Sequence, residues 1–199
     1  MELRPWTLPN LLTFLRLAAL PFLVMTILDG RHGLALVIFL AAAVTDIVDG
    51  YLARHFDMGS PLGAYLDPIA DKLFLVSSFV VFALRATPTV VHVPIWLLVL
   101  TIFRDVLIVV VALLMYLALG TRNFPPSVLG KLTTFSEICL IVAILLANVD
   151  ALPPLVSQLF FWIVAALATA SGLHYVVRAS RGIARHKEDA APSPAPPAP

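Results

Sequence analysis

The chain has 199 residues, of which 60% are hydrophobic and 13% charged, with a formal net charge of +1 at pH 7. Its mean hydropathy is +0.97, whereas soluble domains contain roughly 45–50% apolar residues. This composition excludes an ordinary soluble domain and is typical of an all-α integral membrane protein. No nucleic-acid partner is expected.

Six apolar stretches are each about 20 residues long, the length that crosses the hydrocarbon core of a bilayer as a helix. They lie at residues 8–28, 34–53, 66–84, 95–119, 128–149 and 155–177. The sequence therefore predicts a membrane domain of six transmembrane helices over residues 1–187. Residues 188–199 consist of Ala, Pro and Ser with two acids, and this tail is expected to be disordered because it has no large apolar groups to pack.

Basic residues are distributed unequally between the two ends of the predicted helices. Two of them, Arg31 and Arg85, fall on one side. The larger group on the other side consists of Arg4, Arg54, Arg122, Lys131, Arg178, Arg181, Arg185 and Lys187. Because cytoplasmic loops carry an excess of Lys and Arg, we expect both termini to be cytoplasmic. The expected location is the cell inner (cytoplasmic) membrane.

Four aspartates lie close together in strongly apolar sequence: Asp46 and Asp49 in the second predicted helix, Asp67 and Asp71 in the third. A charge at bilayer depth costs about 2.5 kcal/mol or more, so these acids need cations, water or one another. The members of each pair are three or four residues apart and share one face of a helix. Because a loop of about a dozen residues joins the helices, we expect antiparallel neighbours with converging carboxylates.

Four carboxylates without a neighbouring His or Cys favour a hard divalent ion, Mg²⁺, Mn²⁺ or Ca²⁺, over zinc. Paired ions about 3.5 to 4 Å apart are characteristic of phosphoryl and phosphodiester chemistry. Gly50 and Ala53 leave space on the acidic face, and Arg54 is placed to clamp a phosphate. The charges alone leave open an ion or proton transporter, or a catalytically silent scaffold.

The spacing of these residues resembles the signature of the CDP-alcohol phosphatidyltransferases, and every position of that pattern is filled. The resemblance implies an enzyme that transfers a phosphatidyl group from CDP-diacylglycerol to an alcohol and releases CMP. It also implies two divalent cations, Mg²⁺ or Mn²⁺, and a homodimer.

The resemblance implies a role for each residue of the signature. Asp71 would be the general base as well as a metal ligand. The full implied metal-binding set is Asp46, Asp49, Asp67 and Asp71. The residues implied in binding the CDP-lipid are Gly50, Ala53, Arg54 and Gly63.

The acceptor alcohol has to be inferred outside this signature. Residues 9–13 followed by Arg16 resemble the glycerol-type branch of the family. This branch comprises phosphatidylglycerophosphate synthases, which accept glycerol 3-phosphate, and cardiolipin synthases, which accept phosphatidylglycerol. Arg104-Asp105 is more similar to the cardiolipin synthases, whereas the N-terminal segment and the Gly-Lys-x-Thr-Thr run at 130–134 favour glycerol 3-phosphate. The expected activity is therefore that of a phosphatidylglycerophosphate synthase, with a cardiolipin synthase as the alternative.

An acceptor that carries phosphate needs fixed cations in a site rich in carboxylates. The candidates are Arg104, Lys131 and Arg16. The alternative is internal pairing, in which Arg104 contacts Asp105 or Glu137 and Arg16 contacts an aspartate of the cluster.

Overall fold

The computed structural model describes residues 8–55, 61–119 and 127–189, with side chains described at 10–46, 63, 66–117 and 127–181. Within these ranges the chain is all-helical. The helices are α1 (Leu8–Leu28), α2 (His32–His55), α3 (Pro61–Ala83), α4 (Ile95–Leu119), α5 (Val128–Asn148) and α6 (Pro154–Asp189).

The order of the helices agrees with the six predicted apolar stretches. The bounds of α1, α4 and α5 match the prediction to within one residue. The third helix begins earlier than predicted, at Pro61, because proline is favourable in the first turn of a helix. The last helix continues past the predicted end at residue 177 to Asp189. The predicted tail therefore begins inside α6, and its residues 190–199 lie outside the described residues.

Among the residues whose side chains are described, four helices are long and apolar enough to cross a membrane, and their apolar parts are Asn10–Leu28, Ile95–Leu117, Val128–Asn148 and Pro154–Arg181. The described apolar part of α2 is shorter, at His32–Asp46. Asp67, Asp71 and Lys72 lower the hydropathy of α3. By helix length and hydropathy, the chain is a multi-pass membrane protein.

The helices pack as two connected groups. α1 lies against α2 and α3, whereas α4 and α5 lie against α6, and contacts of α5 with α2 join the groups. Fully buried side chains such as Leu23, Phe82 and Ile144 form the core. Many apolar side chains on the outer surface remain exposed, for example Leu117 and Trp162, as expected where helices face lipid.

The end of the bundle opposite the aspartates is closed by short connections. Gly30 adopts a φ of 71° between α1 and α2, a conformation that glycine adopts without strain. Asn148, at the end of α5, accepts a hydrogen bond from the backbone N–H of Val90 at 2.8 Å and donates one to the hydroxyl of Thr89 at 2.8 Å. These contacts fix the loop between α3 and α4.

Candidate active site

Aspartates from α2 and α3 meet the side chain of Arg16 from α1. Nη1 of Arg16 lies 3.0 Å from Oδ1 of Asp46 and 2.5 Å from Oδ1 of Asp71. The Arg16 side chain is 2% exposed, whereas Asp46 and Asp71 are 43% and 38% exposed. The buried cation offsets the repulsion between the carboxylates, and each carboxylate keeps a surface that a ligand can reach.

A second polar residue of α1 contacts the remaining described aspartate. The hydroxyl of Thr13 donates a hydrogen bond to Oδ1 of Asp67. Thr13 and Arg16 are three residues apart, so they share one face of α1, and both are buried, as is Asn10 one turn earlier. The polar residues of α1 therefore hold the acidic side of α3 in place.

The structure describes the side chains of only some of the signature residues. Asp46, Asp67 and Asp71 lie around one face of α1. Gly63 is buried in α3. The backbone of α2 includes Asp49, Gly50, Ala53 and Arg54, but their side chains lie outside the described residues.

A cavity of about 110 Å³ adjoins Asp46 and Asp71. Its walls are mostly apolar and include Phe39, Ala42 and Phe74. The small side chain of Ala42 leaves space on the face of α2 that carries Asp46, four residues further along. The carboxylates therefore border an apolar cavity in which electrostatic interactions are stronger than in water.

The donor chemistry at this place fits a hard divalent ion. Carboxylate oxygens are the ligands that Mg²⁺ and Mn²⁺ prefer, and Asp46 and Asp71 already direct two such oxygens at one positively charged nitrogen. Among the described side chains, no three His, Cys, Asp or Glu groups form a cluster that could hold a metal ion, and Asp49 is not among them. The two-metal site therefore stays a prediction.

A second group of charged residues connects α3, α4 and α5. Nζ of Lys72 lies 2.6 Å from Oδ2 of Asp105 and 3.9 Å from Oε2 of Glu137. Nη1 of Arg104 lies 2.7 Å from Oδ1 of Asp105. One carboxylate is therefore shared by two cations, and Arg104 makes the internal pair with Asp105 that the sequence left open.

The guanidinium of Arg104 is buried and makes further contacts. Its Nη2 donates to the carbonyl oxygen of Gly130 at 3.3 Å and to the hydroxyl of Ser171 at 2.9 Å. A Cβ at Gly130 would lie 3.1 Å from Nη2, so a larger residue there would displace the guanidinium. The buried Nε of Arg104 has no hydrogen-bond partner among the described protein groups.

A larger cavity, of about 550 Å³, opens beside this group. Its charged wall includes Arg104 and Lys131, and its apolar wall includes Val109 and Phe135. Thr134 and Ile138 border both this cavity and the smaller one, so the two adjoin. The structure therefore brings two of the predicted acceptor-binding cations together and places the third, Arg16, at the aspartates.

Two residues of α6 that the sequence did not predict as site residues, Ser171 and Tyr175, lie close to the larger cavity. Ser171 contacts Arg104, and Tyr175 lines the cavity. The hydroxyl of Tyr175 accepts a hydrogen bond from the backbone N–H of Ser127 at 3.0 Å. A sequence signal exists, because the two residues are four apart on one face of an apolar helix, but it does not identify their partners.

Residues 6–170 match the protein family described as CDP-alcohol phosphatidyltransferase. A CDP-diacylglycerol–glycerol-3-phosphate 3-phosphatidyltransferase of Rickettsia bellii is 34% identical over 175 residues, which are 84% of this chain and 92% of the relative. A cardiolipin synthase (CMP-forming) of Streptomyces coelicolor is 30% identical over 191 residues, which are 89% of this chain and 85% of the relative.

A third relative is a Schizosaccharomyces pombe protein named as a fusion of cardiolipin synthase (CMP-forming) and a mitochondrial hydrolase. It is 35% identical over 190 residues, which are 86% of this chain. The match covers 31% of the relative, so the chain spans about a third of that fusion protein. The names of the three relatives are divided between two activities, cardiolipin synthase and glycerol-3-phosphate 3-phosphatidyltransferase.

Proposed function

The chain belongs to the CDP-alcohol phosphatidyltransferase family, and we propose that it transfers the phosphatidyl group of CDP-diacylglycerol to a glycerol-containing acceptor. It is a phosphatidyltransferase of phospholipid synthesis. The observation that carries the proposal is the convergence of Asp46 and Asp71 on Arg16 beside a cavity. The transporter alternative loses its basis because residues 6–170 match a family of transferases. A carrier would instead move ions across sealed vesicles without consuming lipid.

In the proposed reaction, the hydroxyl oxygen of the acceptor forms a bond to the phosphorus that carries diacylglycerol. The bond from this phosphorus to the bridging oxygen of CMP breaks, and CMP leaves with the electron pair. The carboxylate of Asp71 takes the proton of the hydroxyl, as a general base within reach of the substrate does. Its partial exposure beside the cavity supports this role.

The other residues of the signature bind and orient the CDP-lipid in this proposal. The metal-binding set is Asp46, Asp49, Asp67 and Asp71, and the set for cytidine and pyrophosphate is Gly50, Ala53, Arg54 and Gly63. Two divalent ions, Mg²⁺ or Mn²⁺, would neutralise charge on the phosphate oxygens when bound. Arg16 holds two of the aspartates in register.

The larger cavity bears on the identity of the acceptor. Glycerol 3-phosphate has no apolar group and carries a phosphate monoester with a charge of about −1.5 to −2 at neutral pH. The cations Lys72 and Arg104 already pair with Asp105. Val109 and Phe135, on the apolar wall, are 67% and 64% exposed on the outer surface of the bundle. These features favour an acceptor with acyl chains and one phosphodiester charge, phosphatidylglycerol.

Glycerol 3-phosphate, the acceptor expected from the sequence, becomes the second candidate, and the Gly-Lys-x-Thr-Thr run that favours it lies at this cavity. Lys131 is exposed there, and Thr134 borders both cavities. A small acceptor bound by Lys131 would need no apolar wall.

Offering the two acceptors separately to purified protein in liposomes that contain CDP-diacylglycerol tests the acceptor. We expect mass spectrometry to detect cardiolipin with phosphatidylglycerol and no new lipid with glycerol 3-phosphate. Conversion of glycerol 3-phosphate alone would show that the preferred acceptor is wrong while phosphatidyl transfer stands. Conversion of neither, with CDP-diacylglycerol intact, would contradict the proposed function.

Replacing Arg104 with alanine is expected to raise the KM for the acceptor by about ten- to a hundredfold, because hydrogen bonds to charged groups contribute about 1.5–3 kcal/mol. The KM for CDP-diacylglycerol should change by less than threefold or so, since the aspartates are untouched. Arg85→Ala is a matched control, because Arg85 is exposed at the opposite end of the bundle. Equal increases in both constants would show that Arg104 supports the fold instead.

We further propose six membrane crossings in the cell inner (cytoplasmic) membrane, with both termini and the active site on the cytoplasmic side. Arg31 and Arg85 lie in the connections at the end of the bundle away from the aspartates, and the members of the larger basic group whose side chains are described, Lys131, Arg178 and Arg181, lie towards the other end. This distribution supports the proposed orientation. A homodimer remains part of the proposal on the strength of family resemblance.

A further inference from the structure

We propose that Ser171 and Tyr175 of α6 are positioning residues that hold Arg104 and the first turn of α5 at the acceptor cavity. The proposal rests on the proposed function in one respect, namely that the phosphate of the acceptor binds at this cavity. The contacts of α6 with α4 and α5 are themselves independent of that function.

Ser171 fixes the guanidinium of Arg104 from the α6 side. It is fully buried, and its hydroxyl accepts a hydrogen bond from Nη2 of Arg104 at 2.9 Å. The neighbouring Gly172 lets α6 approach α4 closely, since a Cβ there would lie 3.5 Å from Leu107 and 4.0 Å from Cγ of Arg104. Arginine side chains have large rotamer freedom. Packing and the hydrogen bond therefore restrict Arg104 to one orientation.

Tyr175 fixes the start of α5, one helical turn further along the same face of α6. Its hydroxyl accepts a hydrogen bond from the backbone N–H of Ser127, the N-cap residue of α5. The hydroxyl of Ser127 in turn accepts a hydrogen bond from the backbone N–H of Gly130 at 3.0 Å, as an N-cap side chain does. The first turn of α5 is therefore held both by its own cap and by a side chain of α6.

These hydrogen bonds form a closed ring through three helices. The carbonyl oxygen of Gly130, in the turn that Ser127 caps, accepts from the same Nη2 that contacts Ser171. The ring returns along α6 from Ser171 to Tyr175 and across to Ser127. Lys131, which follows Gly130, also lines the acceptor cavity. Both proposed acceptor-binding cations therefore depend on the same ring for their positions.

Because binding and catalysis lose efficiency when a contact is misplaced by about 1 Å, loosening the ring should weaken acceptor binding without disturbing the aspartates. We expect Ser171→Ala to raise the KM for the acceptor by about tenfold, with kcat and the KM for CDP-diacylglycerol within about twofold of wild type. Ser171→Thr, which keeps the hydroxyl, should restore most of the loss.

Ser157→Ala is the matched control for this experiment. Ser157 lies in the same helix and is as buried as Ser171, and its hydroxyl has no hydrogen-bond partner in the part of the chain that the structure describes. The control should leave both KM values unchanged. Equal increases in the two KM values for Ser171→Ala would overturn the proposal. So would a Ser157→Ala variant in which the KM for the acceptor rises about tenfold while the KM for CDP-diacylglycerol stays unchanged.

A double-mutant cycle separates positioning from direct binding. In an Arg104→Lys background, which lacks the planar fork that Ser171 orients, Ser171→Ala should change the acceptor KM by less than about twofold. An undiminished tenfold effect in that background would show that Ser171 does not act through Arg104, and would contradict the proposal.

Hydrogen exchange of the purified protein gives a readout that does not depend on activity. Tyr175→Phe removes the acceptor for the Ser127 N–H, so exchange in residues 127–131 should rise at least about tenfold, while exchange at the opposite end of α5 stays unchanged. If wild-type protein converts neither acceptor, the proposed function fails, and this measurement still tests the ring. Unchanged exchange at 127–131 would overturn the proposal whatever the activity.

Discussion

Replacing Asp71 with asparagine is expected to lower the rate of CMP release from CDP-diacylglycerol by about 10²- to 10⁴-fold, the contribution typical of a positioned general base. Asparagine has nearly the shape of aspartate but cannot take the proton of the acceptor. Asp71 lies at the smaller cavity, 2.5 Å from Arg16 and 38% exposed, so the substitution changes a group that a substrate can reach.

The control for this prediction is Asp29→Asn, the same substitution at an exposed residue beyond the other end of α1. It should retain wild-type activity. Thermal unfolding should show that both variants are folded, because asparagine still accepts a hydrogen bond from Arg16. Retention of more than about a tenth of the wild-type rate by folded Asp71→Asn would exclude Asp71 as the general base.

Replacing Arg16 with leucine is expected to have the largest effect on stability. Removing one partner of a buried ion pair typically costs about 3–5 kcal/mol, and Arg16 is 2% exposed. Water reaches Asp46 and Asp71, which are 43% and 38% exposed. We therefore expect the free energy of unfolding to fall by about 1–3 kcal/mol, which is less than for a fully buried ion pair. Thermal unfolding in detergent measures it.

Arg31→Leu is the matched control, since Arg31 is exposed at the opposite end of the bundle, and it should be close to wild type in stability. Mg²⁺ should stabilise Arg16→Leu more than it stabilises wild type. In the variant, Asp46 and Asp71 lack the guanidinium that offsets their mutual repulsion, so a bound ion relieves more of it. An equal shift of the unfolding temperature by Mg²⁺ in both proteins would mean that the ion does not bind between these carboxylates.

The apolar stretches predict most of the fold, because a span of about 20 residues and its interruptions determine where membrane helices begin and end. The bounds of α1, α4 and α5 follow from this rule. The part of α6 after residue 177 lies outside the predicted apolar stretch and contains Arg178 and Arg181. Hydropathy therefore misses its end, although basic residues are good helix formers.

The spacing of the aspartates also predicts that Asp46 and Asp71 converge, since each helical face is defined by local geometry. The partners of the cations depend instead on how the helices pack. Lys72 follows Asp71 in sequence, yet it pairs with Asp105 of α4, because successive residues on a helix point about 100° apart. The contact between Ser171 and Arg104 depends on the close packing of α4 and α6, which no local pattern specifies.

The most direct test of the account is the release of CMP by purified protein in liposomes that contain CDP-diacylglycerol, with phosphatidylglycerol and Mg²⁺ or Mn²⁺ present. The account predicts one CMP for each new phospholipid, with release stopped by a chelator and restored by excess divalent ion. Intact CDP-diacylglycerol with phosphatidylglycerol and with glycerol 3-phosphate would contradict it, as would CMP release that a chelator leaves unchanged.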